Sequence, residues 1–412
     1  TPNHWFLGDG MVHAFMLAEG RAHYRNRWVR TDKWRAENLA GRPLLPDYPR
    51  PTLRGLAIRN SGVANTNVVW HAGRLLALEE GHLPFALDPA TLDTYGVERF
   101  GGDLSGSFTA HPKIDPLTGD LVFFSYAAAG PLTSAMRWGT IQPCGRVGRL
   151  ESFAAPYCAM VHDFAVTERH LVFPVMPLTG RLWRAVTKGR PFAWEPELGG
   201  QVGLLRRREG VQSLRWFHTE SRFVFHVLNA WDEGEAVVMD VMQYDAPPLF
   251  PHADGSLPPL HETSARLVRW RLDPHAAGDA IRTEVLDDVS AEFPRFDERR
   301  TGLPNRHAAY VANHRGGPMF DAVVWRDLHA RRAETYRLPR GDVVSEAVFV
   351  PRHAAAAEGD GWLLTVAWRR AERRSDLLVL DTAAVADGPV ATVRLPHRVP
   401  FGFHGNWVSD AG

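Results

Sequence analysis

The 412-residue chain predicts an all-β fold, a seven-bladed β-propeller with long loops and a few short helices capping one face. Three observations carry this reading. Short apolar runs separated by turn signals dominate the sequence, a pattern that suits a sandwich, barrel or propeller. Long amphipathic helices are scarce. Histidines recur at one local position in three strand–turn–strand units, at spacings that suit repeated blades.

Taken in order, the strand candidates are Leu75–Leu78, Leu121–Tyr126, Leu171–Met176, Phe223–Leu228, Ala236–Met242, Leu267–Leu272, Ala347–Pro351, Trp362–Trp368 and Leu377–Leu380. Turn signals separate them: Asn-Ser-Gly at 60–62, Asp-Pro at 88–89, Leu-Thr-Gly-Asp at 117–120, Asp-Glu-Gly at 232–234 and Glu-Gly-Asp-Gly at 358–361. Asp32–Leu39 and Leu328–Thr335 are the better helix candidates. His111 and His162 are 51 residues apart, and His162 and His226 are 64 apart. Dividing the chain by seven gives about 59 residues per blade, long for four strands but open to excursions on one face. Nothing resembles a linker, so one domain over residues 1–412 is expected. The chain opens on Thr1, and an N-terminal segment is expected to be missing.

Lys plus Arg equals Asp plus Glu at 47 each. A balance without a basic stripe argues against a nucleic-acid partner. No apolar run approaches the roughly 18 residues of a transmembrane helix. Cys144 and Cys158 are the only cysteines, which excludes a disulfide framework or a Cys-rich metal site and fits a reducing cytoplasm. Fourteen Trp and 21 Phe suit strands and an apolar cavity.

His111, His162 and His226 each precede a polar turn, and an apolar strand follows each turn. His404 adds a fourth near the C-terminus. Equivalent side chains of repeated units can converge on an axis, and convergent neutral imidazoles bind a transition metal. With 19 histidines in the chain, a surface or hydrogen-bonded core role is the bland reading of any one of them. His226 resists it best, because apolar residues occupy both faces of its strand and a buried imidazole needs partners for its nitrogens.

Six stretches then make the chain resemble the carotenoid cleavage oxygenases, non-haem iron enzymes that include apocarotenoid and lignostilbene oxygenases. They are Trp-Phe-Leu-Gly-Asp-Gly-Met-Val-His at 5–13, Ala-Asn-Thr-Asn at 64–67, Ala-His-Pro-Lys-Ile-Asp-Pro at 110–116, Val-His-Asp-Phe at 161–164, Phe-His-Val-Leu-Asn-Ala-Trp at 225–231 and Phe-His-Gly-Asn-Trp-Val at 403–408. The resemblance implies Fe(2+) held by His111, His162, His226 and His404. It also implies that Glu80, Glu292 and Glu346 accept hydrogen bonds from ligand imidazoles, which would fix each ring and strengthen it as a donor. A closed zinc site is the competing reading of four histidines, and a solvated charge that of each Glu.

The implied reaction is O2-dependent cleavage of an apolar conjugated alkene into two carbonyl products. Two substrate classes compete. Lignostilbene and phenylpropene cleavers often carry a Lys just before the first of these glutamates, where this chain has Glu79. That departure leans the reading to a carotenoid or apocarotenoid polyene, and with it to a cytoplasmic enzyme with room for peripheral membrane contact. The stretches at 194–200 and 374–382 look instead like the bacterial phenylpropanoid branch, with Tyr48 as a candidate phenol contact. A non-enzymatic binding propeller stays open, since fold alone does not fix function. Oligomeric state is not legible.

Overall fold

The computed structural model describes residues 5–45, 62–102, 104–276, 281–317 and 319–409, and its regular structure is almost all antiparallel β. β1 (Met11–Ala18) and β2 (Arg21–Trp28) form a hairpin, followed by α1 (Asp32–Ala40). Thr31 caps α1 by accepting a 3.1 Å bond from the Trp34 amide, and Gly41 ends it at φ 63°, a left-handed stop that favours glycine. The first four-stranded meander contains β3 (Asn67–His71), β4 (Arg74–Leu78), β5 (Phe85–Leu87) and β6 (Thr94–Val97). The second contains β7 (Lys113–Ile114), β8 (Leu121–Ser125), β9 (Ala135–Ile141) and β10 (Val147–Ala154).

The third meander starts with β11 (Ala165–Val166) and β12 (His170–Val175). An excursion of β13 (Leu178–Gly180), α2 (Leu182–Lys188) and β14 (Phe192–Trp194) interrupts it before β15 (Gly200–Arg206) and β16 (Arg215–Thr219) complete the sheet. The fourth is β17 (Phe223–Glu233), β18 (Ala236–Tyr244), β19 (Arg266–Leu272) and β20 (Arg282–Asp287). The fifth is β21 (Ala291–Arg295), β22 (His307–Ala312), β23 (Ala322–Asp327) and β24 (Arg332–Arg337). The sixth is β25 (Val343–Pro351), β26 (Gly361–Arg369), β27 (Arg374–Asp381) and β28 (Pro389–Arg394).

This is an all-β propeller fold, but the described residues form six four-stranded blades, which corrects the expected seven. Even division of the chain fails for a physical reason. Two separate hairpins, β1–β2 and β13–β14, and an irregular connection between β18 and β19 consume chain without adding a blade. The expected helix at Leu328–Thr335 is also overturned. Its residues are good helix formers, but the Asp327 carboxylate accepts the amides of His329 and Ala330 at 3.0 and 2.8 Å, closing a turn. Arg331 then reverses the chain at φ 53°, and the following residues pair with β23. Tertiary pairing outweighs a propensity of a few tenths of a kcal/mol per residue.

The chain divides into two compact units. The first comprises residues 1–162, 178–195 and 404–412, with the first two blades and both hairpins. Its core stacks Phe108 on Phe123, centroids 4.6 Å apart, among Leu76, Leu78, Leu121 and Ile141. Truncating a fully buried ring such as Phe123 to alanine would cost about 3–5 kcal/mol. The second unit comprises residues 163–177 and 196–403, with the other four blades. There Trp325 lies parallel to Phe349 at 5.7 Å, surrounded by Val311, Val323, Leu363 and Leu378.

Candidate metal centre

The histidines singled out in the sequence fall at related places in the blades. His111 lies just before β7, His162 just before β11, and His226 inside β17, each the first strand of its blade. β17 carries a register shift between Val224 and Val227, so Phe225 and His226 oppose one partner residue. Such a bulge re-aims a side chain that regular pleating would direct elsewhere. The same device recurs beside Glu292, between Glu292 and Arg295 of β21, and around Glu346, between Val344 and Ala347 of β25. His404 sits in a C-terminal stretch without regular structure, where its amide donates to the Thr66 carbonyl at 3.1 Å.

In the first unit, His111, His162 and His404 each present a ring nitrogen, and these nitrogens lie within 4.8 Å of one another. The Nε2 atoms of His111 and His162 are 2.9 Å apart. The His111 ring meets those of His162 and His404 edge-on, with centroids 4.5 Å away in both cases. His162 Nδ1 bonds Glu80 Oε1. Because a carboxylate only accepts, Nδ1 carries the proton, and the neutral ring keeps its lone pair on Nε2. The other oxygen of Glu80 accepts from the Tyr126 hydroxyl at 2.5 Å.

The second unit repeats this arrangement. His226 Nδ1 lies 2.5 Å from Glu292 Oε2, and the Tyr244 hydroxyl donates to Glu292 Oε1 at 2.9 Å. Burial works against a charged His226, but the Glu292 carboxylate outweighs it and raises the imidazole pKa. Burial likewise works against ionised Glu292, while His226, the Phe293 amide and Tyr244 pull its pKa down. Val227, next to His226, is held by the buried Asp163 carboxylate at 2.8 Å. Glu346 is buried and accepts from Arg295 Nη1 at 3.2 Å; Arg295 also meets Glu298 at 2.6 Å.

Glu79, the position that weighed against a phenol, pairs with His82 at 2.5 Å. Burial disfavours a charged His82, yet this partner raises its pKa. Tyr48 lies outside the described residues. Sequence reasoning missed Tyr126, Tyr244, Arg295 and His82. A signal existed for two of them: Tyr126 closes the apolar run Leu121–Tyr126, and Arg295 follows Glu292 by three residues.

The donor set suits a transition metal. Two imidazole nitrogens each about 2.1 Å from one ion stand about 3.0 Å apart at a right angle, and about 3.4 Å apart in a tetrahedron. The His111 and His162 nitrogens, 2.9 Å apart, are close enough to share one ion. Among the described residues, no helix is long and apolar enough to cross a membrane.

Comparison with known proteins gives a consistent picture. Residues 1–409 match the family described as retinal pigment epithelial membrane protein. The chain is similar to an isoeugenol monooxygenase of Pseudomonas nitroreducens, 38% identical over 98% of this chain and 88% of that protein. It is 33% identical to carotenoid cleavage oxygenase 1 of Neurospora crassa, over 99% of this chain and 81% of that protein. Among solved structures, a lignostilbene dioxygenase of Pseudomonas brassicacearum superposes with a TM-score of 0.95 at 38% identity, covering 99% of this chain and 88% of that one. A Synechocystis apocarotenoid oxygenase variant gives 0.87 at 29% identity, covering 98% and 88%.

Proposed function

The chain belongs to the retinal pigment epithelial membrane protein family, the carotenoid cleavage oxygenases, and is an alkene-cleaving oxygenase; from that premise we propose that it uses Fe(II) and acts on a phenolic alkene of the propenylphenol or stilbene class. In this reading His111, His162, His226 and His404 bind one ion. Glu80, Glu292 and Glu346 steady the ligand rings from behind.

The observation that supports a metal is the convergence of the His111, His162 and His404 ring nitrogens within 4.8 Å of one another. Convergent neutral imidazoles would suit a divalent transition metal, and cleavage by O2 calls for a redox-active one, which zinc is not. Iron so held would activate O2 beside the alkene; the balance is one alkene and one O2 to two carbonyls, with no external reductant. The protein's part is orientation. Glu80 and Glu292 hold Nδ1–H of His162 and His226, which leaves Nε2 as the donor on each ring. Tyr126 and Tyr244 hold the carboxylates in turn.

The phenolic class is favoured over a polyene by the relatives just described, the isoeugenol and lignostilbene enzymes showing the greater likeness. The objection from Glu79 weakens, because its carboxylate is already engaged by His82. A neutral phenol, with a pKa near 10, can also donate to a carboxylate. The polyene reading keeps the support of the carotenoid-cleaving relatives. Iron-loaded protein incubated with a propenylphenol, a 4-hydroxystilbene and an apocarotenal, with products read by mass, decides between them. Turnover of the apocarotenal alone would reject the phenolic class, and equal turnover with zinc would reject iron.

A further inference from the structure

We propose that Asn67 is a positioning residue that ties His404, carried on the irregular C-terminal stretch, to His111 at the entrance of the second blade; the proposal rests on the reading that both bind one ion. Residues 401–409 contain no helix or strand, so no sheet register places His404. Bonds to residues 66–68 help to place it. The His404 amide donates to the Thr66 carbonyl at 3.1 Å. The Asn406 amide group donates to the Val68 carbonyl at 2.5 Å and to Asn67 Oδ1 at 3.1 Å.

Asn67 then reaches the other histidine. Its Nδ2 donates to the carbonyl of Ala110, the residue before His111, at 2.8 Å. Its Oδ1 also accepts from the Val68 amide at 2.8 Å. The three contacts agree on one amide orientation, since a flip would set the NH2 group against the Val68 and Asn406 donors. The His111 amide is held independently by Thr109 Oγ1 at 2.9 Å. One side chain therefore links the segment carrying His404 to the backbone at Ala110, just before His111, using its acceptor for the one and its donor for the other. Aspartate could keep the acceptor half but has no N–H for Ala110. Alanine loses both.

The test is cobalt(II) binding to metal-free full-length protein, followed by visible absorption and chelator competition, for wild type, N67A, N67D, N406A and H404A. Loss of an outer residue that orients a ligand typically weakens metal binding ten- to a hundred-fold. We expect a loss of that size in N67A, with a cobalt spectrum that moves toward that of H404A, a smaller loss in N406A, and partial retention in N67D. Thermal unfolding of the metal-free proteins separates positioning from folding: the spectral change should persist in whichever variant unfolds within a few degrees of wild type. N67A and N406A with wild-type cobalt affinity and spectrum, while H404A has lost both, would overturn the role of Asn67 alone. H404A that binds cobalt like wild type would overturn the shared ion, and this proposal with it.

Discussion

Replacing Glu292 separates the charge of a carboxylate from its shape. Oε2 of this buried residue accepts from His226 Nδ1 and from the Phe293 amide, both at 2.5 Å, while Oε1 accepts from Tyr244. Glutamine can keep a carbonyl oxygen toward His226 and turn its NH2 toward the Tyr244 oxygen. What it loses is the charge and the acceptor for the Tyr244 O–H. A hydrogen bond to a charged group contributes about 1.5–3 kcal/mol and a neutral one about 0.5–1.5, so the change costs about 1–1.5 kcal/mol. That corresponds to roughly tenfold weaker metal retention, the lower end of what such outer partners usually confer. Glu292→Ala is harsher, leaving His226 Nδ1–H and the Tyr244 hydroxyl without an acceptor at about 1–3 kcal/mol each. The assay pairs chelator competition on loaded protein with denaturant unfolding of the metal-free form. Glu292→Gln should weaken metal retention and lower the unfolding midpoint modestly, and Glu292→Ala should lower both further. Wild-type metal retention in Glu292→Gln would refute the argument that the carboxylate charge strengthens the ligand.

Tyr126→Phe should weaken metal retention less than Glu80→Gln, because the carboxylate keeps its bond to His162; equal losses by chelator competition would contradict this order. Gly10→Ala should lower the melting temperature measurably, since a Cβ there would clash with the Ala64 carbonyl oxygen and displace the segment leading to Asn67. Asp232 gives a pH prediction. Burial alone would raise its pKa, but bonds from His170, Thr167 and the Arg169 amide bring it below the ordinary 3.8. Its contribution to stability is therefore present above that value and lost as pH falls through the lower folded one. Unfolding measured from pH 6 down to pH 2 should show a shallower acid decline in Asp232→Asn; an unchanged slope would remove Asp232 from the account.

The strands were legible because each has apolar character over a short run between turn residues. All nine expected runs overlap observed strands, from Leu75–Leu78 within β4 to Leu377–Leu380 within β27. The α1 helix was legible from its pattern and is closed by Thr31 and Gly41. Blade number was not, because sequence spacing cannot distinguish a blade from a detached hairpin such as β13–β14. The 328–335 segment misled because local propensity there opposes pairing to β23. At the candidate site, the sequence marked the histidines and glutamates through their motifs. Tyr126 and Tyr244 escaped notice because each reads as one more aromatic in a strand; only the pairing of distant segments brings their hydroxyls to Glu80 and Glu292.

The three bulged strands make part of this chemistry depend on counting. His226 and Glu346 each lie where two residues oppose one, and Glu292 stands at the edge of such a place. Because side chains alternate across a strand, deleting a single residue there would restore regular pleating and send the functional side chain to the opposite face, with every residue type unchanged. Length in β17, β21 and β25 is thus as informative as identity. The connection between β18 and β19 carries no such constraint, since a surface loop can grow or shrink without changing any register. Variation in chain length among functional members should therefore be absorbed by such connections and excluded from the few residues around each bulge.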